Sequence, residues 1–455
     1  MKISKIIEKN LCYDSRKLKK NDIFFDFISN KKKNNPYLKK IVEKKPYLII
    51  SQKKVNYKNI LVVKNIKNLY FSLIKKKYKN IPKNLYAVTG TNGKTSVAGF
   101  FCQINNLNKL SCGNIGTLGY YLKKYIKKNN LTTPDNLDIF KFLNFIKNKK
   151  INRAIIEASS HGLDQGRLSY LKFNSVVFTN FSRDHLDYHK SMKSYLDAKL
   201  ILFKKNLKAN SNIICDNNVA KLIRNKVQKK YKFVLQSKNK SFKIIGLKPH
   251  RSKTKLKINC NNNIHSIIVN LIGEFQIKNL FHAIMLSVSS GISINKIINV
   301  LPKIKPIEGR LNILKNKNKI VCLDYAHTPD GLEKVITTLK SHFKKRVNIV
   351  FGCGGNRDKG KREKMGKIAN KLCKKIIVTD DNPRDENPKN ITKQIFKFIN
   401  NGSVINNRKL AIKKAIQKID HNEVLLVAGK GHENYQIIKG KKFHFSDYEE
   451  IIKNL

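Results

Sequence analysis

The sequence of 455 residues lacks tryptophan and has no uninterrupted apolar run of about 18 residues. A chain without such a run offers no candidate membrane-spanning helix, so we expect no insertion into a membrane. Its first residues, Met1 to Lys5, contain neither an apolar segment nor a small-residue cleavage site. These features predict a cytoplasmic protein rather than a secreted one.

Cysteine pairs with the spacing of metal or redox sites are also missing. The eight cysteines are spread along the chain, and no two of them form a Cys-x-x-Cys pair. A chain of this length can bury a sizeable core without covalent cross-links. We therefore expect free thiols, with neither a disulfide framework nor a zinc site.

Acidic residues are scarce, because 30 Asp and Glu stand against 94 Lys and Arg and leave a formal net charge of +64. Such an excess is typical of proteins that bind nucleic acid, since Lys and Arg neutralise phosphates. Here the lysines are dispersed from end to end beside equally dispersed Asn and Ile, and codons for all three are rich in A and T. Mutational bias accounts for that pattern, so we expect no specific nucleic-acid partner.

What the chain does contain is a series of short apolar runs between helix-compatible stretches. Such runs predict the buried strands of a mostly parallel α/β fold. They occur at 22–27, 47–50, 60–63, 85–88, 153–157, 175–179, 212–215, 320–323, 347–351, 375–379 and 424–427. Prolines 82, 302 and 306 separate groups of these runs. We expect three domains, at residues 1–82, 83–305 and 306–455.

The strongest local signal is the segment Val88 to Ser96, which reads VTGTNGKTS between a predicted strand and a predicted helix at 97–105. Glycines in such a turn let backbone N–H groups face a phosphate chain, and the helix N-terminus adds positive potential. Lys94 can then reach the β- and γ-phosphates, and the Thr95 hydroxyl can ligate magnesium. The loop is shorter than the common P-loop, because Gly90 and its partner glycine are closer in sequence.

Two other predicted strands end in polar residues. A carboxylate at the end of a buried strand, such as Glu157, is costly unless it meets a cation, and Mg²⁺ accepts one or two carboxylates with phosphate oxygens. The segment 179–189 adds acidic and imidazole groups, including His185, after another strand. On its own, Glu157 fits a polar strand end equally well, and a lone histidine in such a segment is more often structural. The nucleotide loop is what favours a magnesium site.

Two loops in the last third of the chain combine charges of both signs. Residues 352–362 form a glycine-rich turn loaded with cations, and residues 379–384 place carboxylates, an amide and a guanidinium around Pro383. Arg forks bind carboxylates and Asp binds amines, so both loops suit an amino-acid substrate. From the residues alone, two solvated loops are an equal alternative.

Together the motifs resemble a known family. The segments that carry the resemblance are GTNGKTS, EASSHGLDQGRL, SRDHLDYH, YLDAK, DYAHTPDGL, GCGGNRDKGKR, DDNPR and AGKGHENYQ, and the likeness extends from Asp14 to Asp447. They are similar to the Mur ligases of peptidoglycan synthesis, and more narrowly to the members that add 2,6-diaminopimelate. One departure is the segment 29–37, which lacks the glycine-rich pattern of the family.

The resemblance implies an N-terminal domain that binds a UDP substrate, a central P-loop-type ATPase and a C-terminal Rossmann-like domain that binds an amino acid. It implies that ATP phosphorylates the D-glutamyl γ-carboxylate of UDP-N-acetylmuramoyl-L-alanyl-D-glutamate. An amine of meso-diaminopimelate then attacks the acyl phosphate to form the amide. Mg²⁺ is the implied cofactor, with a carbamylated lysine as one of its ligands. We expect the protein to act as a monomer.

By position, the resemblance assigns ATP contacts to Gly90, Thr91, Asn92, Gly93, Lys94, Thr95, Ser96, Asn279, Arg310 and Asp324. The implied metal ligands are Thr95, Glu157, His185 and carbamylated Lys199, and the implied catalytic residues are Lys94, Glu157, His185 and Lys199. Contacts to the UDP-muramoyl dipeptide are assigned to Ser15, Thr132, Thr133, Ser159, Gln165 and Arg167. The diaminopimelate pocket is assigned to Arg357, Asp381, Asn382, Pro383, Arg384, Gly429 and Glu433.

Arg384 is the implied specificity residue, because diaminopimelate has a second carboxylate that lysine lacks. A guanidinium left unpaired in the pocket would disfavour lysine. Three alternatives remain: a lysine-adding ligase on the same scaffold, a basic nucleic-acid-binding ATPase and a degenerate binding protein. Arg384 argues against the first, the dispersed lysines against the second, and intact Lys94, Glu157, His185 and Lys199 against the third.

Overall fold

The computed structural model describes residues 8–29, 33–129, 131–228, 230–235 and 242–455. The chain divides into two compact units. The first is formed by the described residues of 1–83 with 134–152 and 168–170, and the second by those of 84–133, 153–167 and 171–455. The division into three domains at residues 82 and 305 stays a prediction.

The first unit contains a parallel sheet with strand order β1-β2-β3-β4. Its elements are β1 (Leu11–Cys12), β2 (Ile23–Asp26), α1 (Leu38–Glu43), β3 (Leu48–Ser51), β4 (Ile60–Val62), α2 (Ile66–Lys77) and α4 (Asn136–Asn148). Apolar residues of β2, α1 and β3, among them Phe24, Ile41 and Ile49, form its small core.

The second unit begins with an eight-stranded sheet of order β12-β11-β10-β5-β9-β6-β7-β8, in which β7 pairs antiparallel with both β6 and β8 and the other pairs are parallel. Its elements are β5 (Asn84–Thr89), α3 (Lys94–Leu107), β6 (Gly113–Gly116), β7 (Gly119–Leu122), β8 (Lys124–Lys127), β9 (Arg153–Glu157), α5 (Ser160–Asp164), β10 (Phe173–Phe178), α6 (Leu186–His189), α7 (Met192–Lys205), β11 (Leu207–Cys215), α8 (Asn217–Ile223) and β12 (Lys232–Leu235).

A three-stranded antiparallel sheet follows, formed by β13 (Phe242–His250), β14 (Lys253–Cys260) and β15 (Asn263–Val269), and then α9 (Glu274–Ser289) and α10 (Ile294–Val300). Helices α3 and α9 share one core with both sheets, with Phe101, Leu256 and Phe281 among its members. Burial of these apolar faces fixes α3, and with it the nucleotide loop, against the sheet.

The last part of the second unit is a six-stranded sheet of order β16-β17-β21-β18-β19-β20, parallel except for β16. Its elements are β16 (Asn312–Asn316), β17 (Lys319–Asp324), α11 (Pro329–Phe343), β18 (Arg346–Phe351), α12 (Gly360–Leu372), β19 (Ile376–Val378), α13 (Pro388–Phe396), β20 (Gly402–Val404), α14 (Arg408–Gln417), β21 (Glu423–Ala428), β22 (Tyr435–Ile438), β23 (Lys441–His444) and α15 (Asp447–Asn454). Separate apolar cores cover its two faces.

The predicted mostly parallel α/β fold is confirmed, and each predicted strand coincides with an observed one. Helix α3 begins three residues earlier than the predicted helix, because the turn into it ends at Gly93 with φ 87°. The sequence reasoning missed β13–β15 and the β22–β23 hairpin. Among the helices of the described residues, none combines the length and the apolar character that crossing a bilayer requires.

Parallel strands bring their carboxyl ends to one edge of a sheet, where open α/β folds bind ligands. In the eight-stranded sheet this edge collects the loops after β5, β9 and β10. In the six-stranded sheet it collects the loops after β17, β18, β19 and β21. The predicted polar clusters all lie on these loops.

Candidate active site

The nucleotide loop is shaped by two glycines. Gly90 has φ 139°, and a Cβ atom there would lie 1.9 Å from Thr179 Oγ1. A Cβ on Gly93 would overlap the carboxamide of Asn279. The loop is fastened to the segment after β10, since the N–H groups of Thr91 and Asn92 donate to the backbone and side-chain oxygens of one residue, Asn180, at 2.9 and 3.0 Å. Only glycine allows this close approach.

Two lysines converge on the same carbonyl of that loop. Lys94 Nζ donates to Gly90 O at 2.9 Å and to Thr91 O at 2.8 Å, and Lys199 Nζ from α7 donates to Gly90 O at 2.9 Å. Desolvation lowers the pKa of both amines, and repulsion from Lys94 lowers the pKa of Lys199 further. Within the described part of the chain, no carboxylate lies at ion-pair distance from either amine. The loop therefore collects two amines that no described carboxylate neutralises, and a bound anion would stabilise their charged form.

The predicted magnesium ligands Thr95 and Glu157 lie together. Thr95 Oγ1 donates to Glu157 Oε2 at 2.9 Å, and Thr117 holds the same carboxylate through its hydroxyl and its N–H, each at 3.0 Å. Burial raises the pKa of Glu157, while Lys94 acts in the opposite direction. A hydroxyl and a carboxylate in contact are oxygen ligands of the kind that Mg²⁺ prefers.

His185 faces a different carboxylate. Its Nε2 lies 3.2 Å from Asp184 Oδ2, and His327 Nε2 lies 3.9 Å from the same oxygen. Burial works to raise the pKa of Asp184, but His185, His327 and Lys361 outweigh it and lower the pKa to about 2. Burial also lowers the pKa of His185 to about 3, so its imidazole is neutral at pH 7 and can act as a ligand.

The four predicted metal ligands are thus brought together only in part. Glu157 contacts Thr95, whereas His185 is turned to Asp184 and the Lys199 amine is bound to a backbone carbonyl. Across the described residues, no three His, Cys, Asp or Glu side chains form a ready-made metal cluster. The Thr95–Glu157 pair fits Mg²⁺ by its chemistry, and an unmodified Lys199 does not.

A cavity of about 500 Å³ opens over the nucleotide loop. It is lined by residues of the loops, helices and strand ends at the eight-stranded and six-stranded sheets. The lining residues that carry predicted roles are Thr91, Asn92, Gly93, Lys94, Thr95, Ser96, Thr132, His185, Asn279, Arg310 and Asp324. The cavity thus collects most of the residues predicted to contact ATP, although they are far apart in sequence.

Arg310 connects this cavity to the six-stranded sheet. Its Nη2 donates to Thr95 Oγ1 at 3.2 Å, and its guanidinium lies over the ring of Tyr325, 4.3 Å from the centroid. Asp324 accepts N–H bonds from Leu311 and Ala326, both at 2.7 Å, and burial raises its pKa. Sequence reasoning missed Tyr325, although it directly follows the Asp324 that ends a predicted strand.

A second cluster lies on the loops after β19 and β21. Asn382 Nδ2 donates to Glu433 Oε2 at 2.9 Å, and the fully buried Lys430 reaches that oxygen at 3.1 Å and Asp381 Oδ1 at 3.6 Å. Lys430 also donates to Asn382 Oδ1 at 3.2 Å. It was not predicted, although a lysine just after a buried strand has to meet an acid. Gly429 (φ 111°) donates its N–H to Asp324 O at 3.1 Å, next to the same cluster.

Arg384 has a backbone conformation that is uncommon outside glycine, with φ 54°. The β22–β23 hairpin holds it, because Arg384 N donates to Ile437 O at 2.9 Å and Lys439 N donates to Arg384 O at 2.7 Å. Its Nη1 donates to the carbonyls of Gly355 and Asn382 at 2.9 and 3.3 Å. No described carboxylate lies within ion-pair distance of this guanidinium. It is therefore available to an anionic ligand.

Two other predicted members of this pocket flank it. The carbonyl of Pro383 packs so closely on Gly355 that a Cβ there would lie 2.0 Å from it. Arg357 Nη1 lies 3.7 Å from Asp187 Oδ2, in a weak and half-exposed ion pair. Arg357 repels Arg384 and, with burial, lowers the pKa of that guanidinium.

The residues predicted to contact the UDP substrate fall in both units. Ser15 belongs to the first unit, where its carbonyl accepts a bond from Lys44 Nζ at 2.7 Å. In the second unit, Thr133 Oγ1 contacts Ser159 Oγ at 2.9 Å, and Arg167 donates to Thr133 O at 2.9 Å and to Gln165 Oε1. Thr132 bonds to Thr117, which also holds Glu157. Residues 30–32 of the unusual segment 29–37 lie outside the described residues.

Comparison with known proteins bears on the whole chain. Residues 88–287 match the family model of the Mur ligase middle domain, and residues 309–431 match that of the Mur ligase glutamate ligase domain. UDP-N-acetylmuramoyl-L-alanyl-D-glutamate–2,6-diaminopimelate ligase of Rickettsia rickettsii is 38% identical and that of Rickettsia bellii (strain RML369-C) is 39% identical. The alignments cover 98% and 97% of this chain, and 95% and 94% of those proteins.

A solved structure of a UDP-N-acetylmuramoyl-L-alanyl-D-glutamate–2,6-diaminopimelate ligase has a TM-score of 0.65 and 28% sequence identity to this chain. The match covers 98% of this chain and 94% of that one. Both sheets and the loops that carry the site are therefore part of a shared architecture. On these sequence and structural grounds, the chain belongs to the Mur ligase family.

Proposed function

We propose that this protein is an ATP-dependent ligase that joins meso-2,6-diaminopimelate to the D-glutamyl γ-carboxylate of UDP-N-acetylmuramoyl-L-alanyl-D-glutamate. Relatives at 38–39% identity over nearly the full chain carry the corresponding name. The observation that carries the choice of amino acid is Arg384, whose guanidinium is bound to carbonyls and to no carboxylate among the described residues, and so is open to a second substrate carboxylate. We further propose that the protein works as a monomer in the cytoplasm.

Mur ligases use ATP and Mg²⁺. Three observations support a nucleotide site here: the glycine turn, the converging amines of Lys94 and Lys199, and the cavity of about 500 Å³ above them. Lys94 would exchange its two carbonyl bonds for phosphate oxygens and stabilise the charge on the phosphoryl group during transfer. Arg310, already bonded to Thr95, would place a second cation at the same phosphates. Asn279, Asp324 and Ser96 would complete the contacts to the nucleotide.

Thr95 and Glu157 would hold a Mg²⁺ ion, and neutral His185 would be a further ligand. When bound, the ion supplies charge neutralisation to the phosphates. Lys199 would join as a carbamate, formed when its neutral amine adds to CO₂ and releases a proton. Burial without an acid partner favours that neutral amine, and the product is an oxygen ligand that the amine is not.

The second cluster would bind the amino acid. Asp381 and Glu433 can accept an ammonium group, and Asn382 can bond to its neighbouring carboxylate. Arg384 would pair with the distal carboxylate, with Arg357 adding positive charge nearby. Lys430 balances the two acids from behind, so the pocket itself does not repel the anionic end of the substrate. The amine would thereby be held for attack on the acyl phosphate.

The test is phosphate release from ATP in the presence of the UDP-muramoyl dipeptide, Mg²⁺ and bicarbonate, with meso-diaminopimelate or L-lysine in parallel. We expect release with diaminopimelate only. In Arg384→Met, we expect kcat/KM for diaminopimelate to fall about a hundredfold, which is the loss of one charge-assisted pair. The KM for ATP should stay within twofold.

The matched control is Arg346→Met, an exposed arginine at the opposite edge of the same sheet, which should change neither constant. Equal release with lysine would overturn the substrate assignment but keep the ligase. Release stimulated by RNA or DNA, and not by an amino acid, would instead favour the nucleic-acid-binding ATPase. No release under any of these conditions would favour the degenerate binding protein.

A further inference from the structure

A fully buried ion pair lies behind the amino-acid pocket. Arg408, the first residue of α14, donates from Nε to Asp447 Oδ1 and from Nη2 to Asp447 Oδ2, both at 2.7 Å. Neither side chain has any solvent exposure. Asp447 begins α15, so the pair joins the two helices that cover one face of the six-stranded sheet. A buried pair is weak evidence of a stabilising role, because apolar side chains of similar size often do as well.

The same guanidinium makes two further contacts that helix packing does not require. Its Nη2 donates to Ala428 O at 2.8 Å, and its Nη1 lies 3.4 Å from Asp380 O. Ala428 directly precedes Gly429, and Asp380 directly precedes Asp381. One side chain therefore contacts the backbone carbonyl immediately before each of the two segments that form the second cluster, Asp381–Arg384 and Gly429–Glu433.

The chain just before Arg408 holds one of these loops as well. Asp380 N donates to Asn406 O at 3.2 Å, and Asn406 Nδ2 donates to Asp380 Oδ1 at 2.8 Å. The other loop has no comparable contact with residues 406–407 among the described hydrogen bonds. Asn382, Glu433 and Lys430 join the two loops directly on the pocket side. Arg408 adds a contact from outside the loops, to the backbone of both.

The planar geometry of the guanidinium explains why residue 408 is an arginine and not a lysine. A guanidinium has five N–H donors in a fixed fork, and this one uses them on a carboxylate and two carbonyls that lie in different directions. A lysine amine can meet the carboxylate, but it cannot keep the fork that reaches both carbonyls. Asp447 is needed to fix the plane of the fork, and it neutralises a charge that would otherwise be buried alone.

We propose that Arg408, oriented by Asp447, is a positioning residue that sets the spacing between the loops of Asp381–Arg384 and Gly429–Glu433, and thereby the affinity for the amino-acid substrate. The identity of the amino-acid substrate rests on the function proposed above, whereas the contacts of Arg408 with the two loops do not depend on it. Arg408 itself does not touch the substrate side of the pocket, because its fork is occupied by Asp447 and the two carbonyls.

The experiment compares steady-state constants of wild type, Arg408→Lys and Asp447→Asn in the phosphate-release assay. We expect the KM for diaminopimelate to rise tenfold or more in both variants. The KM for ATP and for the UDP-muramoyl dipeptide should stay within twofold, and kcat should fall less than KM rises. A merely structural role would instead lower the melting temperature and the active fraction, and so kcat, with every KM unchanged.

Two control variants separate the alternatives. Ile412→Ala weakens the packing of the same helix on the sheet without touching either loop. Lys409→Gln removes the exposed Lys409–Glu450 pair, which joins the same two helices at 3.7 Å. We expect both controls to keep the KM for diaminopimelate within twofold. A rise in that constant in Ile412→Ala equal to that in Arg408→Lys would overturn the positioning role.

A readout without turnover keeps the inference testable if the proposed function fails or a variant is inactive. Amide hydrogen exchange of the free protein should accelerate at residues 381–384 and 429–433 together in Arg408→Lys and in Asp447→Asn, and not in Ile412→Ala. Unchanged exchange at either loop in both pair variants contradicts the role. If wild type releases phosphate with a different amino acid, the KM for that amino acid replaces the KM for diaminopimelate. An error in the substrate assignment is then detected in wild type, and an error in the positioning role is detected in the variants.

Discussion

The two ligand-facing regions of the second unit handle positive charge in opposite ways. At the nucleotide loop, Lys94, Lys199 and Arg310 contact carbonyls and a hydroxyl, and none has an acid partner among the residues that the structure describes. Around the amino-acid pocket, two fully buried cations are paired, Lys430 with Glu433 and Arg408 with Asp447. The two regions share the same kind of sheet edge but not the same electrostatic design.

The difference separates charges that await a ligand from charges that hold the protein together. Desolvating a cation without a counterion costs free energy, so we expect such a cation where a ligand anion can bind and neutralise it. A cation paired with an acid is already neutralised and can hold parts of the protein together. Within the amino-acid pocket Arg384 follows the rule of the nucleotide loop, which is why we assign it to the substrate carboxylate.

Lys94→Met should produce the largest effect. Removing a cation that stabilises charge on the transferred phosphoryl group should lower kcat about a thousandfold. The melting temperature should not fall, because desolvation already lowers the pKa of this amine and methionine carries no charge to bury. The measurements are phosphate release and thermal unfolding. Lys371→Met, an exposed lysine of α12, is the control and should change neither quantity. A large loss of thermal stability in Lys94→Met would contradict the comparison.

Lys199→Met should come next, with activity about a hundredfold lower and stability equal or higher. The buried amine has no acid partner among the described side chains, and an apolar side chain of similar length removes its desolvation cost. ¹³C NMR with labelled bicarbonate should show a carbamate signal in wild type and none in the variant. Absence of the signal in wild type at saturating bicarbonate would remove the carbamate from the proposed site, and full activity of Lys199→Met would remove the lysine itself.

Much of this site could be predicted because its signals are local. Two glycines with the lysine beside them, placed between a buried strand and a helix, predict the nucleotide loop, and the structure places Gly90 and Gly93 where no side chain fits. The strand ends could be predicted because strands such as β21 are buried on both faces and are apolar after their first residue. Once the strands are parallel, their carboxyl ends must meet at one edge.

The rest depends on pairings between distant parts of the chain. Arg408 and Asp447 are 39 residues apart, and nothing near either residue indicates the other. The positive φ of Arg384 is imposed by the β22–β23 hairpin, which the sequence reasoning did not place. For β14 a signal was present, since Lys253 to Cys260 alternates exposed lysines with buried side chains, but the lysine-rich composition obscured it.

Glu423→Gln tests the paired side of the comparison and should have the smallest effect, confined to stability. Glu423, buried at the start of β21, accepts from Lys374 Nζ at 2.7 Å and from Asn348 Nδ2 at 2.7 Å. Burial works to raise its pKa, but these bonds outweigh it and lower the pKa to about 2. The pKa of this carboxyl is lower in the folded state than in the unfolded state. It therefore stabilises the fold fully at pH values above the unfolded-state pKa, and that stabilisation is lost as the pH falls towards 2.

We therefore expect Glu423→Gln to lose about 2–3 kcal/mol of unfolding free energy at pH 7, measured by urea denaturation. The difference from wild type should shrink steadily as the pH is lowered from about 4.5 towards 2, because wild type then loses the same charge. All three KM values should stay at wild-type levels, since Glu423 lies at the edge of the sheet opposite the ligand loops. A stability loss that is independent of pH would mean that the shape of the Glu423 side chain, and not its charge, contributes to the free energy of unfolding. A changed KM would mean that this pair, at the end of the strands away from the ligand loops, also affects ligand binding, and Glu423 could not be assigned to stability alone.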